Sequence, residues 1–99
     1  MELLEEVEFE VATSILDDLI GFSRLEQWME TRKDVPDKDV IERLKALDER
    51  LSVERLGLIA DPGQVEKVLV RYGPELKKLP RGDSEIRAIL FSVEAISPL

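Results

Sequence analysis

Carboxylates are the chemically capable group that this sequence concentrates. Glu2, Glu5, Glu6, Glu8, Glu10, Asp17 and Asp18 fall within the first eighteen residues, and no basic residue stands among them. On a helix, Glu2, Glu6 and Glu10 share one face with Glu5 beside them, a set able to hold a divalent cation weakly. Like charges four residues apart repel by a few tenths of a kcal/mol (roughly 0.2–0.5) unless something neutralises them. A carboxylate row of this kind also attracts basic surfaces and speeds their encounter. The opposite charge gathers further along. Lys67, Arg71, Lys77, Lys78 and Arg81 stand against Glu75 alone in residues 67–81, a local charge of +4. The full chain of 99 residues has 22 acidic and 14 basic side chains, a net charge of −8, yet residues 21–99 sum to only −1. The excess is an address on one segment.

Most catalytic chemistry is excluded by what is missing. There is no histidine and no cysteine, so there is no imidazole base, Ser-His-Asp triad, thiol nucleophile or thiolate metal site. Gly82-Asp83-Ser84 echoes the nucleophile block of one esterase family, but no base is available to take the serine proton, and Ser-x-x-Lys does not occur. Arg81-Gly82-Asp83 spells a cell-adhesion tripeptide; a loop followed by a helix cap explains it. Asp34, Asp37 and Asp39 suggest a calcium loop, yet a loop starting at Asp37 has Glu42 where the sharp turn needs Gly and Asp48 where the bidentate Glu belongs. No enzyme activity, cofactor or dedicated metal site is expected.

Two features remain as contact candidates. The basic stretch includes Tyr72, and Lys67, Arg71, Lys77, Lys78 and Arg81 could follow a nucleic-acid backbone. The net negative charge opposes this at long range, although screening within about 8 Å leaves a local patch effective. Trp28, the single tryptophan, falls on an apolar helical stripe and is expected in the core. The alternative is an interface anchor, since tryptophan buries much area at little entropic cost.

The elements that position these groups read as helices. Leu4, Val7, Val11, Ile15, Leu19 and Phe22 recur at helical spacing, and Leu16, Leu25, Trp28 and Met29 carry the pattern to about Lys33, with Gly21 marking a kink. Val7-Glu8-Phe9-Glu10-Val11 also alternates like a strand, so the minor alternative is an α+β chain with short strands near 6–11 and 88–95. Asp34-Val35-Pro36-Asp37 reads as a turn. Val40, Leu44, Leu47 and Leu51 mark a second helix that breaks at Ser52, with Asp39/Arg43 and Lys45/Glu49 as pairs of opposite sign. Asp61-Pro62-Gly63-Gln64 resembles a capping box opening a third helix with Val65, Val68, Leu69 and Tyr72 buried, stopped by Gly73-Pro74. Asp83 caps a last helix carrying Ile86, Ile89, Leu90, Val93 and Ile96.

The expectation is therefore an all-α chain, residues 1–99 forming one compact bundle or array of four to five helices. No apolar run is long enough to span a bilayer, and the acidic N-terminus is unlike a secretory signal; a cytoplasmic protein is expected. Functionally, the sequence reads as a non-enzymatic regulator, inhibitor or assembly factor whose acidic segment engages a basic protein surface, including that of a nucleic-acid-binding protein. The alternatives are a homo-oligomer that docks this segment on the 67–81 stretch of another copy, and direct nucleic-acid binding through that stretch.

Overall fold

The computed structural model describes residues 2–77 and 83–96, with side chains described from Glu6 onward and again from Glu85. Four helices make up the described residues: α1 (Glu2–Thr31), α2 (Lys38–Ala60), α3 (Gln64–Leu76) and α4 (Asp83–Ala95). The all-α reading holds. Residues 6–11 lie within α1 and 88–95 within α4, and no strand occurs among the described residues. The alternating Val7–Val11 run is a helical turn with Phe9 partly buried against the core, since a strand there has no neighbour to take its backbone hydrogen bonds.

α1 and α2 form a long antiparallel hairpin. Asp17 pairs with Arg55; seven residues on in α1 and seven back in α2, Arg24 Nε reaches Asp48 Oδ2 at 3.0 Å. These two pairs fix the register on one side of the hairpin. Ser23 Oγ ties the helices from within by donating to the Leu44 carbonyl at 2.8 Å. The turn between them is built as its residues suggest. Asp37 caps α2, its Oδ1 accepting the backbone N–H of Asp39 at 3.0 Å and of Val40 at 3.2 Å, which satisfies two of the four orphan donors of the first turn.

α3 and α4 cover one face of this hairpin. The core between the layers is Ala12, Ile15, Leu16, Leu19 and Ile20 of α1, Leu44, Leu47, Leu51 and Leu58 of α2, Val65, Val68 and Tyr72 of α3, and Ile89, Leu90 and Val93 of α4. The other face of the hairpin is left to solvent. The molecule is correspondingly elongated, 52 × 26 × 19 Å.

Several expected boundaries shift. α2 runs unbroken through Ser52, whose hydroxyl bonds the Asp48 carboxylate of its own helix instead of capping a new one. Gly21 lies in mid-α1 without ending or interrupting it, and beyond its own turn of helix backbone no atom lies within 4 Å of where its Cβ would stand. Asp61 and Gln64 do meet, but side chain to side chain, Nε2 to Oδ2 at 3.0 Å, while Asp61 Oδ1 takes the Gly63 N–H. α3 accordingly starts at Gln64. It also continues past Gly73-Pro74 to Leu76, because a proline two residues before the end removes one hydrogen bond that the packed helix can do without. Asp83 is the first residue of α4, and Arg81 and Gly82 lie outside the described residues.

Candidate functional site

The phase of α1 decides which groups face solvent. Its buried line is Ala12, Leu16, Leu19, Ser23, Glu26 and Glu30, spaced four, three, four, three, four. Apolar residues open that line and polar ones close it. Opposite runs a second line of the same spacing: Val7, Val11, Ser14, Asp18, Gly21, Leu25, Trp28 and Arg32, all exposed. Trp28 is therefore a correction to the core expectation. It is 55% exposed, Leu25 is 44% exposed, and the Arg32 guanidinium stacks 4.3 Å from the indole centroid. Val7 and Val11, which join the helical spacing that leads to Ile15 and Leu19, are nearly half exposed. The apolar pattern of the second half of α1 faces outward because polar side chains occupy the buried positions there.

Those buried polar groups form two clusters that charge patterning alone does not reveal. In the first, Glu26 and Glu30 of α1 have almost no exposed surface, and Arg87 of α4 bridges them, Nε to Glu26 Oε1 at 3.2 Å and Nη1 to Glu30 Oε1 at 3.1 Å. Glu30 also accepts the Asp37 backbone N–H at 3.1 Å and the Lys33 ammonium at 3.0 Å. These two contacts, the backbone one foremost, hold its carboxyl below the ordinary carboxylate range. In the second cluster, the Tyr72 hydroxyl lies 2.7–2.8 Å from both carboxylate oxygens of Glu54 and donates its proton there. Arg50 Nη2 donates to the Tyr72 oxygen at 3.1 Å, and the same guanidinium takes the Val93 and Glu94 carbonyls that end α4. Burial first, and then the Glu54 contact, push the Tyr72 phenol up to about 12. A faint sequence signal existed for the second cluster: Arg50 and Glu54 are four apart on α2. The first had none, since Arg87 follows Glu26 by sixty-one residues.

In the first cluster Arg87 hydrogen-bonds a carboxylate of the cluster directly, and in the second Arg50 Nε stands 3.8 Å from Glu54 Oε1 with the Tyr72 hydroxyl between the two groups. Glu26 Oε2 and Arg50 Nε are buried without a hydrogen-bond partner. A depression lined by Val53, Glu54, Gly57, Ala60, Asp61 and Gln64 reaches one of these carboxylates, but Glu54 there is already committed to Tyr72. No group of three carboxylates able to hold a metal ion occurs among the described residues.

The acidic residues divide. Glu6, Glu8 and Glu10 are exposed on α1, and Asp18 stands on its outward line. Asp17 is met by Arg55 of α2, a partner that the charge of the segment itself does not supply. The backbone at Glu2 and Glu5 is helical, and their side chains lie outside the described residues. Of the basic stretch, Lys67 and Lys77 are exposed and Arg71 is half-buried on α3, while Lys78 and Arg81 lie outside the described residues. Tyr72 is fully enclosed, so it offers no ring for a base to stack on. Arg43, expected to pair with Asp39, instead reaches α4, where it forks onto the Glu94 carboxylate and lies over the Phe91 ring.

No helix among the described residues is long and apolar enough to cross a membrane. Compared with family models, with curated proteins and with solved structures, the chain matches none.

Proposed function

We propose that this is a non-enzymatic binding protein whose contact surface is the outward face of α1, with the acidic half of that face engaging a basic surface on another protein. The observation that carries the reading is the outward line itself. Val7, Val11, Leu25 and Trp28 are 44–55% exposed along one helix, bordered by Glu6, Glu8, Glu10 and Asp18. A buried tryptophan stabilises a core, but an exposed one flanked by apolar neighbours is the residue type that dominates binding energy at interfaces. The carboxylates supply steering toward cations and a salt-sensitive contribution. The regulator, inhibitor and assembly-factor classes all work by such surface contact. Nucleic-acid contact through Lys67–Arg81 has less support, because Tyr72 is enclosed.

The test uses Trp28 as its own reporter. A synthetic amphipathic Lys/Leu helical peptide is titrated against the protein at low and high salt. The reading expects a saturable blue shift of the tryptophan emission, weakened by salt and by the combined Glu6→Gln, Glu8→Gln and Glu10→Gln variant. An emission spectrum indifferent to the peptide, or a shift indifferent to both salt and the glutamine variant, overturns it.

A further inference from the structure

α1 carries both halves of a complementary contact. Its first half is acidic. Its second half carries Arg24, ion-paired to Asp48 of α2, and the turn just beyond its end carries Arg32 and Lys33 close to the exposed Leu25 and Trp28; its carboxylates there, Glu26 and Glu30, are turned inward and met by Arg87 and Lys33. The solvent face of the helix therefore runs from negative and apolar to positive and apolar. The basic amphipathic surface that the acidic half requires is the far half of the same helix together with the turn that follows it.

We infer that the outward face of α1 docks against the α1 of a second copy of this chain, antiparallel and about a twofold axis between Asp18 and Gly21. The inference rests on the reading that this face is the contact surface, and it names the occupant. The spacing of the outward line, alternately four and three residues over about 38 Å at ~1.5 Å per residue, is that of a coiled-coil seam. Centring the axis between Asp18 and Gly21 sets Trp28 opposite Val11 of the second copy, Leu25 opposite Ser14, Arg32 opposite Val7 and Asp18 opposite Gly21, each twice. Large residues face small ones throughout. Beyond its own turn of helix backbone, Gly21 has nothing near its Cβ position within its own chain, which leaves room for close approach at the axis.

Charge selects the direction. In this register Arg32 and Lys33 lie along Glu6, Glu8 and Glu10 of the other copy, while Arg24 and Asp17 stay with Asp48 and Arg55 of their own chain. A parallel pair would instead set the exposed Glu6, Glu8, Glu10 and Asp18 against their own copies. The outward line of α2 is a poorer candidate: Glu42, Ala46, Glu49, Val53, Leu56 and Ala60 are exposed at the same spacing, but no cation stands on that line to meet its glutamates.

The experiment exploits a chain without cysteine. Light scattering on the intact protein is expected to read twice the 11.3 kDa of one chain at sufficient concentration, and Leu25→Glu with Trp28→Glu to return it to the monomer with its helical circular dichroism intact. Oxidising a mixture of Val11→Cys and Trp28→Cys proteins is expected to give a covalent dimer joining one of each. Preferential cross-linking of either variant with itself indicates a different register and overturns the inference. So does a monomer at every concentration. Glu6→Lys with Glu10→Lys, and separately Arg32→Glu, should each weaken association, and mixing the two should restore it; failure of the mixture to recover association also overturns the inference. If the chain is monomeric while the Lys/Leu peptide still shifts Trp28 emission, self-docking falls and the binding surface stands. If neither occurs, both fall.

Discussion

The Glu26 carboxylate has no exposed surface, and the guanidinium that meets it, Arg87 at 3.2 Å, belongs to the last helix. This pair and its neighbour Glu30 join α4 to the end of α1 where leucines would ordinarily do so. Breaking such a contact from one side strands the other charges. Arg87→Met is expected to cost about 3 kcal/mol, since it leaves two enclosed carboxylates without their bridging cation. Urea denaturation measures this as a lowered midpoint at unchanged slope. Adding Glu26→Gln to Arg87→Met should recover part of the loss, and strict additivity of the two changes would show that the pair is not coupled.

Glu30 gives stability a dependence on acid. Its folded carboxyl is held below the ordinary range by the Asp37 N–H and Lys33, so the unfolded chain takes up the proton more readily. The contribution is present above the unfolded carboxylate value and drains away as pH falls through the folded one. Glu30→Gln should therefore flatten the acid limb of a stability-against-pH curve. An acid limb of unchanged steepness in that variant argues against the role.

Tyr72 sets the alkaline side. Burial and Glu54 raise its phenol to about 12, so its contribution is complete below the unfolded value near 10 and is lost as pH rises through the folded one. As the chain has one tyrosine, phenolate absorbance reports it directly. Ionisation is expected together with loss of helical circular dichroism, and a phenol that titrates at its ordinary value in a still-folded protein contradicts the buried contact. Tyr72→Phe should cost about 1–3 kcal/mol by leaving Glu54 short of a donor.

Trp28 and Leu19 should behave oppositely to their sizes. Leu19→Ala opens a hole in a fully buried position and is expected to cost about 2–5 kcal/mol. Trp28→Ala removes a far larger side chain, but from the surface, and stability should move by no more than about 0.5 kcal/mol. Thermal unfolding of the two variants, at a concentration where the chain is monomeric, distinguishes the exposed tryptophan from a core one.

The fold was readable wherever turn chemistry and packing agreed. Asp37 caps α2 as its type and position suggest, and Val40, Leu44, Leu47 and Leu51 lie inward as their spacing requires. What could not be read was the phase of α1 beyond Ile20. Apolar periodicity assumes that buried positions are apolar, and Ser23, Glu26 and Glu30 break that assumption with partners twenty-one to sixty-one residues away, or across the turn at Asp37. Leu25 and Trp28 then draw the stripe to the wrong side. The same gap hid Arg55 from the account of the acidic segment, since a cation on another helix leaves no mark near Asp17. Ser52 and Gly73-Pro74 failed as stop signals because a helix packed along one side on both flanks of the signal tolerates a local penalty of this size.

The attachment of α4 has a consequence for how the chain assembles. Arg87, in the first half of this helix, is fastened to α1, and its last turn is gripped by Arg43 and Arg50 of α2. Neither helix alone offers both fastenings. The hairpin, whose contacts are close in sequence, can zip without waiting for anything else, whereas α4 has a seat only after the hairpin has closed. Backbone amides of α4 should accordingly exchange with solvent by openings shallower than those of α1 and α2: the last helix is a keystone set into a finished arch, put in place last and first to be lifted out.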